Sequence, residues 1–186
     1  MEKESKLTAE KKNKIKRIVR YAVAGVASLL LIFLIIEGYS FYTLSPDKLY
    51  TEKYKHYEIT ITRDGSDTVT AIEKAYKEKN YAEVINLNKL SVLSVHDIFL
   101  TGMAYLETKD YSRAVRSFQV VISEVKDNKT VLKGVAEYYL ALAYLQDRDY
   151  DQAIELMNAI HNNSSHPYKA KFSRRYINQV KRLKWR

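Results

Sequence analysis

Two stretches decide the fold: G-M-A-Y-L-E-T-K-D-Y-S-R-A-V-R-S-F, Gly102 to Phe118, and A-L-A-Y-L-Q-D-R-D-Y-D-Q-A-I-E-L-M, Ala141 to Met157. They align on an Asp-Tyr pair. In each, a helical pattern of apolar residues runs into a short polar turn and resumes at the tyrosine. A turn of a few residues forces the two helices antiparallel. Small residues at Gly102 and Ala141 let the first helix approach its partner, and Ala114 and Ala153 do the same from the second. Tyr105 and Tyr144, three residues on, fill the space between hairpins. Asp110 and Asp149 stand where they can cap the orphan amides of the helices that start at Tyr111 and Tyr150.

A third, degraded copy precedes these: I-E-K-A-Y-K-E-K-N-Y-A-E-V-I-N-L-N, Ile72 to Asn88. Here Val84 replaces the expected alanine, Asn88 the expected aromatic and Ala75 the expected tyrosine. The tyrosine spacing is also uneven, from Tyr81 to Tyr111 and from Tyr111 to Tyr150. That predicts one shortened second helix and an insertion over Lys126 to Thr130.

Taken together the segments resemble the tetratricopeptide repeat (TPR), a helix–turn–helix unit that stacks into a right-handed solenoid. The resemblance covers about residues 66 to 165. A closer one is to bacterial proteins with one N-terminal membrane helix followed by a few such repeats. It is carried by S-P-D-K-L-Y (Ser45 to Tyr50), Y-Y-L-A-L-A-Y-L (Tyr138 to Leu145), H-P-Y (His166 to Tyr168) and the final K-R-L-K-W. The expected fold class is all-α: a single N-terminal transmembrane helix, then a short TPR-like solenoid of three helix pairs with a C-terminal capping helix. In layout alone the chain is also similar to an ancillary, chaperone-associated repeat protein of the bacterial Sec translocon.

Outward from the repeats, Tyr21 to Ile36 is a run without a charge, Y-A-V-A-G-V-A-S-L-L-L-I-F-L-I-I. As a helix it spans roughly 24 Å; Ile18 and Val19, with Arg20 snorkelling, extend it toward bilayer thickness. Tyr39, Phe41 and Tyr42 suit an interfacial belt. A cleaved signal peptide competes with this reading, since Gly38 and Ser40 form a small-x-small pair. The run is long for one, and Glu37 and Tyr39 disfavour cleavage. Lys11, Lys12, Lys14, Lys16, Arg17 and Arg20 precede it, so the positive-inside rule keeps that end in the cytoplasm. The expected location is the bacterial inner membrane, single-pass, with a periplasmic C-terminal domain. The domain reading is 1–17 basic cytoplasmic segment, 18–44 anchor, 45–66 linker with a short helix, and 67–186 TPR-like domain with a basic helix. Ser45-Pro46-Asp47 starts the short helix. Glu58 to Arg63 alternates like a strand and is read as extended linker; the other possibility is that it lies along the repeats.

The 186 residues carry 31 Lys and Arg against 22 Asp and Glu, unevenly placed. Residues 1–36 are net +5, 37–167 net −4 and 168–186 net +8. The last region is one amphipathic helix. Phe172, Tyr176, Val180 and Leu183 cap the solenoid, and Lys171, Arg174, Arg175, Lys181 and Arg182 form a basic surface for anionic lipid or an acidic protein. A net-negative middle argues against nucleic acid. The lack of cysteine removes disulfides and thiolate sites. There is no phosphate loop, no G-x-S-x-G and no H-E-x-x-H, and the histidines are scattered. Neither catalysis, metal nor cofactor is expected.

In the repeat family the second stripe of each first helix lines a concave peptide-binding groove. Carried over, that stripe is Val69 and Tyr76, then Phe99, Met103 and Leu106, then Tyr138, Leu142 and Leu145. Either these residues grip a partner's segment, or the linker or C-terminal helix fills the groove as ordinary core. The functional expectation is a membrane-tethered scaffold or adaptor for other envelope proteins or peptides. The alternatives are an ancillary chaperone or quality-control factor near the secretion machinery, or a transmembrane regulatory protein.

Overall fold

The computed structural model describes residues 2–59, 70–89, 93–125 and 131–185. Among these residues it is all-helical, with no strand. Two compact units divide the chain, residues 1–44 and 45–186. The first is a single helix, α1 (Glu2–Tyr42). Within its stretch Lys16–Tyr39 an 18-residue window has a mean hydropathy of 2.4 and none of that window is buried, so the helix is long and apolar enough to cross a membrane; a signal sequence shares those properties. Ser28 returns its hydroxyl to the Ala24 carbonyl, so the run's only serine is satisfied within the helix.

The second unit opens with α2 (Pro46–Lys53). Ser45 caps it through the Lys48 amide, and Pro46 occupies the first turn, where its missing N–H costs nothing. Three helix pairs follow: α3 (Ala71–Lys77) with α4 (Tyr81–Leu87), α5 (Val95–Glu107) with α6 (Tyr111–Glu124), and α7 (Val131–Gln146) with α8 (Tyr150–Asn162). A 3-10 turn (Lys169–Lys171) leads to α9 (Arg174–Lys184), whose Tyr176, Ile177, Val180 and Leu183 are buried. That helix is the expected cap.

The Asp-Tyr signature has a local cause. Each first helix ends with a residue in the left-handed region: Lys79 at φ 56°, Lys109 at 61° and Arg148 at 63°. After α5, the Lys109 amide bonds to the Leu106 carbonyl and the Asp110 amide to that of Tyr105, a Schellman termination. Asp110 then turns its carboxylate forward onto the Arg113 amide, 3.2 Å away, and so caps α6. Asp149 does the same for α8 through Gln152, and Asn80 for α4 through Glu83. One residue therefore closes one helix and opens the next. The degraded first repeat keeps this turn, and α4 is the shortened second helix that the spacing predicted. The insertion over 126–130 lies outside the described residues.

Packing follows from the small positions. A Cβ added at Gly102 would stand 2.8 Å from Cε1 of Phe118, which is fully buried in α6. Gly134 likewise admits Pro167, and so seats the His-Pro-Tyr turn on α7. There His166 Nε2 lies 3.0 Å from Glu137, and Tyr168 stacks on Tyr138 with ring centroids 4.4 Å apart. Between repeats, Asp97 completes a capping box with Ser94 and also accepts from the Thr70 hydroxyl at 2.8 Å, which joins α5 to the start of α3.

A tyrosine-lined groove and the segment that fills it

The predicted groove residues Tyr76, Phe99, Met103, Leu106, Tyr138, Leu142 and Leu145 are all buried; Val69 lies outside the described residues. What covers part of this row is the chain's own stretch after α2. Residues 54–59 have no regular structure, and they lie across α7, α5 and α3 in turn.

This strap is held mainly by its backbone. Tyr138 donates its hydroxyl to the Lys53 carbonyl at 2.6 Å, Tyr139 to that of Lys55 at 2.7 Å and Tyr76 to that of Tyr57 at 3.0 Å. The first acceptor closes α2, and the other two, Lys55 and Tyr57, alternate along the irregular segment, as one side of an extended chain presents them. Further back, Tyr176 of α9 donates to the Leu49 carbonyl of α2 at 2.8 Å. A buried tyrosine thus supplies ring area for packing and a hydroxyl for a carbonyl that would otherwise be unpaired. Four of the 16 tyrosines, Tyr76, Tyr138, Tyr139 and Tyr176, serve in this double way.

Side chains add a second grip at Glu107, the last residue of α5. Tyr54 donates to its Oε1 at 2.5 Å, and His56 Nδ1 lies 2.6 Å from the same oxygen. An ionised carboxylate only accepts, so Nδ1 carries the proton in this arrangement. His56 also stacks on Tyr76 at 5.5 Å, and Tyr57 meets Phe99 edge to face at 4.8 Å. Burial raises the pKa of Tyr138 to about 12, with a further contribution from Tyr168. Burial also raises Tyr76, Tyr139 and Tyr176 well above the ordinary tyrosine value. These hydroxyls stay protonated, and stay donors, throughout the neutral range.

Sequence reasoning did not single out Tyr139 or Glu107, and it placed Tyr176 on the capping face without its bond to the Leu49 carbonyl of α2. A signal for the strap was present in the spacing of Tyr50, Tyr54 and Tyr57, four and then three apart, which puts aromatic weight on a segment read as connector. The residues of the predicted basic surface, Lys171, Arg174, Arg175, Lys181 and Arg182, are all exposed. Among the described residues, no group of acids and histidines is arranged to hold a metal ion.

Comparison with known proteins places the repeats. Residues 98–128 and 135–165 each match the tetratricopeptide repeat family. These segments hold most of α5 with α6 and most of α7 with α8, so the C-terminal region carries TPR repeats. Domains of this kind are protein-interaction scaffolds in general. No curated protein and no solved structure matches the chain.

Proposed function

We propose that this chain is a membrane-tethered TPR scaffold of the bacterial cell envelope, without catalytic activity. In this reading α1 crosses the inner membrane once. Its basic start stays in the cytoplasm, and the repeat domain meets other envelope proteins or peptides on the periplasmic side. Tethering confines the domain to a thin layer, and so raises its effective concentration toward membrane-bound partners.

The observation that carries the reading is the strap itself. The groove already holds an extended segment, and a partner's segment of similar form would take the strap's place. Tyr138, Tyr139 and Tyr76 would again bond carbonyls, while Glu107 takes a donor side chain. Every residue carries a carbonyl, so a hold of this kind tolerates varied sequences. That favours the ancillary-chaperone reading as the second choice.

The test uses a synthetic peptide of residues 49–59 as the probe. The full-length variant Tyr54→Ser/Tyr57→Ser, with its own strap weakened, should bind the peptide at least about tenfold more tightly than the unaltered chain. In the latter the tethered strap competes at an effective concentration on the order of millimolar. A folded variant that binds no peptide contradicts the reading and makes these residues plain core.

A further inference from the structure

The exposed side of α9 has a composition that the capping role does not require. Arg174, Lys181 and Trp185 follow one another at seven and then four residues, which keeps them on one face. Arg175 and Arg182 flank that face, and all five are exposed. Trp185 is 84% exposed, the highest value among the exposed large hydrophobic residues. No acid occurs on α9 or anywhere in residues 168–186. The nearby acids lie on the helices packed against it: Asp151 of α8 is taken up by Lys184 at 2.5 Å, and Glu52 of α2 pairs with Lys53 at 2.8 Å. Among the described residues, no ion pair engages Arg174, Arg175 or Lys181.

Connectivity adds the second observation. α9 packs on α2, where Tyr176 holds the Leu49 carbonyl and Lys53 lies over the Tyr176 ring. Leu49 stands only seven residues past the end of α1 at Tyr42. Fully extended, that stretch of chain reaches at most about 25 Å. Within the repeat unit, α9 and α7 are thus both fastened to the element that follows the membrane segment, α7 through the Tyr138 bond to the Lys53 carbonyl.

From these two facts we infer that the Arg174–Lys181–Trp185 face of α9 docks on the anionic headgroups of the same bilayer that α1 enters. The inference rests on the reading of α1 as a membrane anchor. Arginine and lysine near such a surface contribute about 1 kcal/mol each, and tryptophan favours the interfacial layer, where its ring is half apolar and its N–H can be solvated. An acidic protein segment would answer the same charges but gives no reason for an exposed indole at the end of the row. The membrane is therefore the better-fitting partner.

Trp185 is the chain's single tryptophan, so the face carries its own reporter. The full chain is reconstituted into nanodiscs of phosphatidylcholine alone, or of phosphatidylcholine with phosphatidylglycerol. Emission should shift to the blue and acrylamide quenching should fall only in the anionic discs. Both effects should vanish at about 1 M salt, where the screening length is near 3 Å. They should also vanish in Arg174→Glu/Arg175→Glu/Lys181→Glu. Glutamate is favourable at Arg174 and Arg175 in the first turn of α9 and unfavourable at Lys181 in the last, so circular dichroism checks that the variant keeps α9 folded. The glutamine triple variant is the second form of the same test. An equal response in both kinds of disc, a response that survives the triple variant, or a response to poly-glutamate but not to anionic discs overturns the inference. A chain that stays in the aqueous phase without entering discs would instead overturn the anchor reading. The same fluorescence measurement with phosphatidylglycerol vesicles added to that soluble chain would still decide the role of α9.

Discussion

Trypsin offers a direct reading of how firmly the strap is held, because it cuts after Lys53 and Lys55. Those are the two residues whose carbonyls accept from Tyr138 and Tyr139. A protease needs the scissile carbonyl free, so cleavage there reports local opening of the strap. Glu107→Ala removes the acceptor shared by Tyr54 and His56. Hydrogen bonds to a charged group contribute about 1.5–3 kcal/mol each in favourable settings. The Glu107 side chain is 23% exposed, so water replaces part of what is lost. A net loss of about 2 kcal/mol is the reasoned value, which raises the open population roughly thirtyfold. Tyr138→Phe and Tyr139→Phe each delete one neutral hydrogen bond and leave the ring in place; about 1 kcal/mol, or five- to tenfold, is expected from each. The assay is the initial rate of cleavage after Lys53 and Lys55 in the full chain, at low protease so that reclosing outpaces cutting. Cutting at Arg113 and Arg116 on α6 serves as the internal reference. Strap cleavage that stays at the unaltered rate, or rises only in step with cleavage in α6, refutes the reasoning. In the first case the strap is not held by these groups; in the second it does not open separately from the repeats.

Further outcomes follow from the packing and the turns. Gly102→Ala should lower stability by about 1 kcal/mol in urea unfolding, because a rigid ring 2.8 Å away costs more than the helix-propensity gain of about 1 kcal/mol; adding Phe118→Leu should recover most of it. Lys109→Gly and Arg148→Gly should each raise the unfolding midpoint, worth about 0.5 kcal/mol, since glycine adopts positive φ without strain. Alkaline pH should destabilise the repeat unit. Buried tyrosines have a raised pKa when folded, so the unfolded chain loses their protons first, and stability falls from about pH 10 through the folded value of about 12 for Tyr138. Each such tyrosine contributes about 1.4 kcal/mol per pH unit in that window, measured by urea titrations at stepped pH. If α1 is oriented as proposed, protease added to spheroplasts should cleave the strap of a Glu107→Ala chain and leave Lys11 to Arg17 intact; the reverse pattern refutes the orientation.

The parts of this fold that could be read in the sequence are those with local causes. The turn at Lys109-Asp110-Tyr111 joins a left-handed termination to an N-cap within a few residues, and the same chemistry recurs at Arg148-Asp149-Tyr150. Gly102 and Ala153 are legible because only small residues allow that approach. The apolar face of α9 was legible from its period, and α2 from Ser45-Pro46. That the linker fills the groove was legible as one of two alternatives; which of its groups are held, and by what, was not, for two reasons. Its bonds span long stretches of sequence, from Tyr57 to Tyr76 and from Lys53 to Tyr138. They also fall on carbonyls, which leave no mark on the strap's own residue types. Tyr138 was read as a groove residue, yet nothing in its neighbours says that its hydroxyl reaches a backbone oxygen.

The account's central claim is that the stretch after the short α2 helix lies in the groove of the repeats. Nuclear Overhauser contacts between aromatic side chains test it most directly, in the full chain held in nanodiscs with tyrosine and phenylalanine selectively labelled. Cross-peaks between the Tyr57 and Phe99 rings, whose centroids are 4.8 Å apart, and between those of Tyr54 and Tyr139, at 6.1 Å, are predicted. Phe99 and Tyr139 rings that contact each other while showing no cross-peak to Tyr54 or Tyr57 would contradict it.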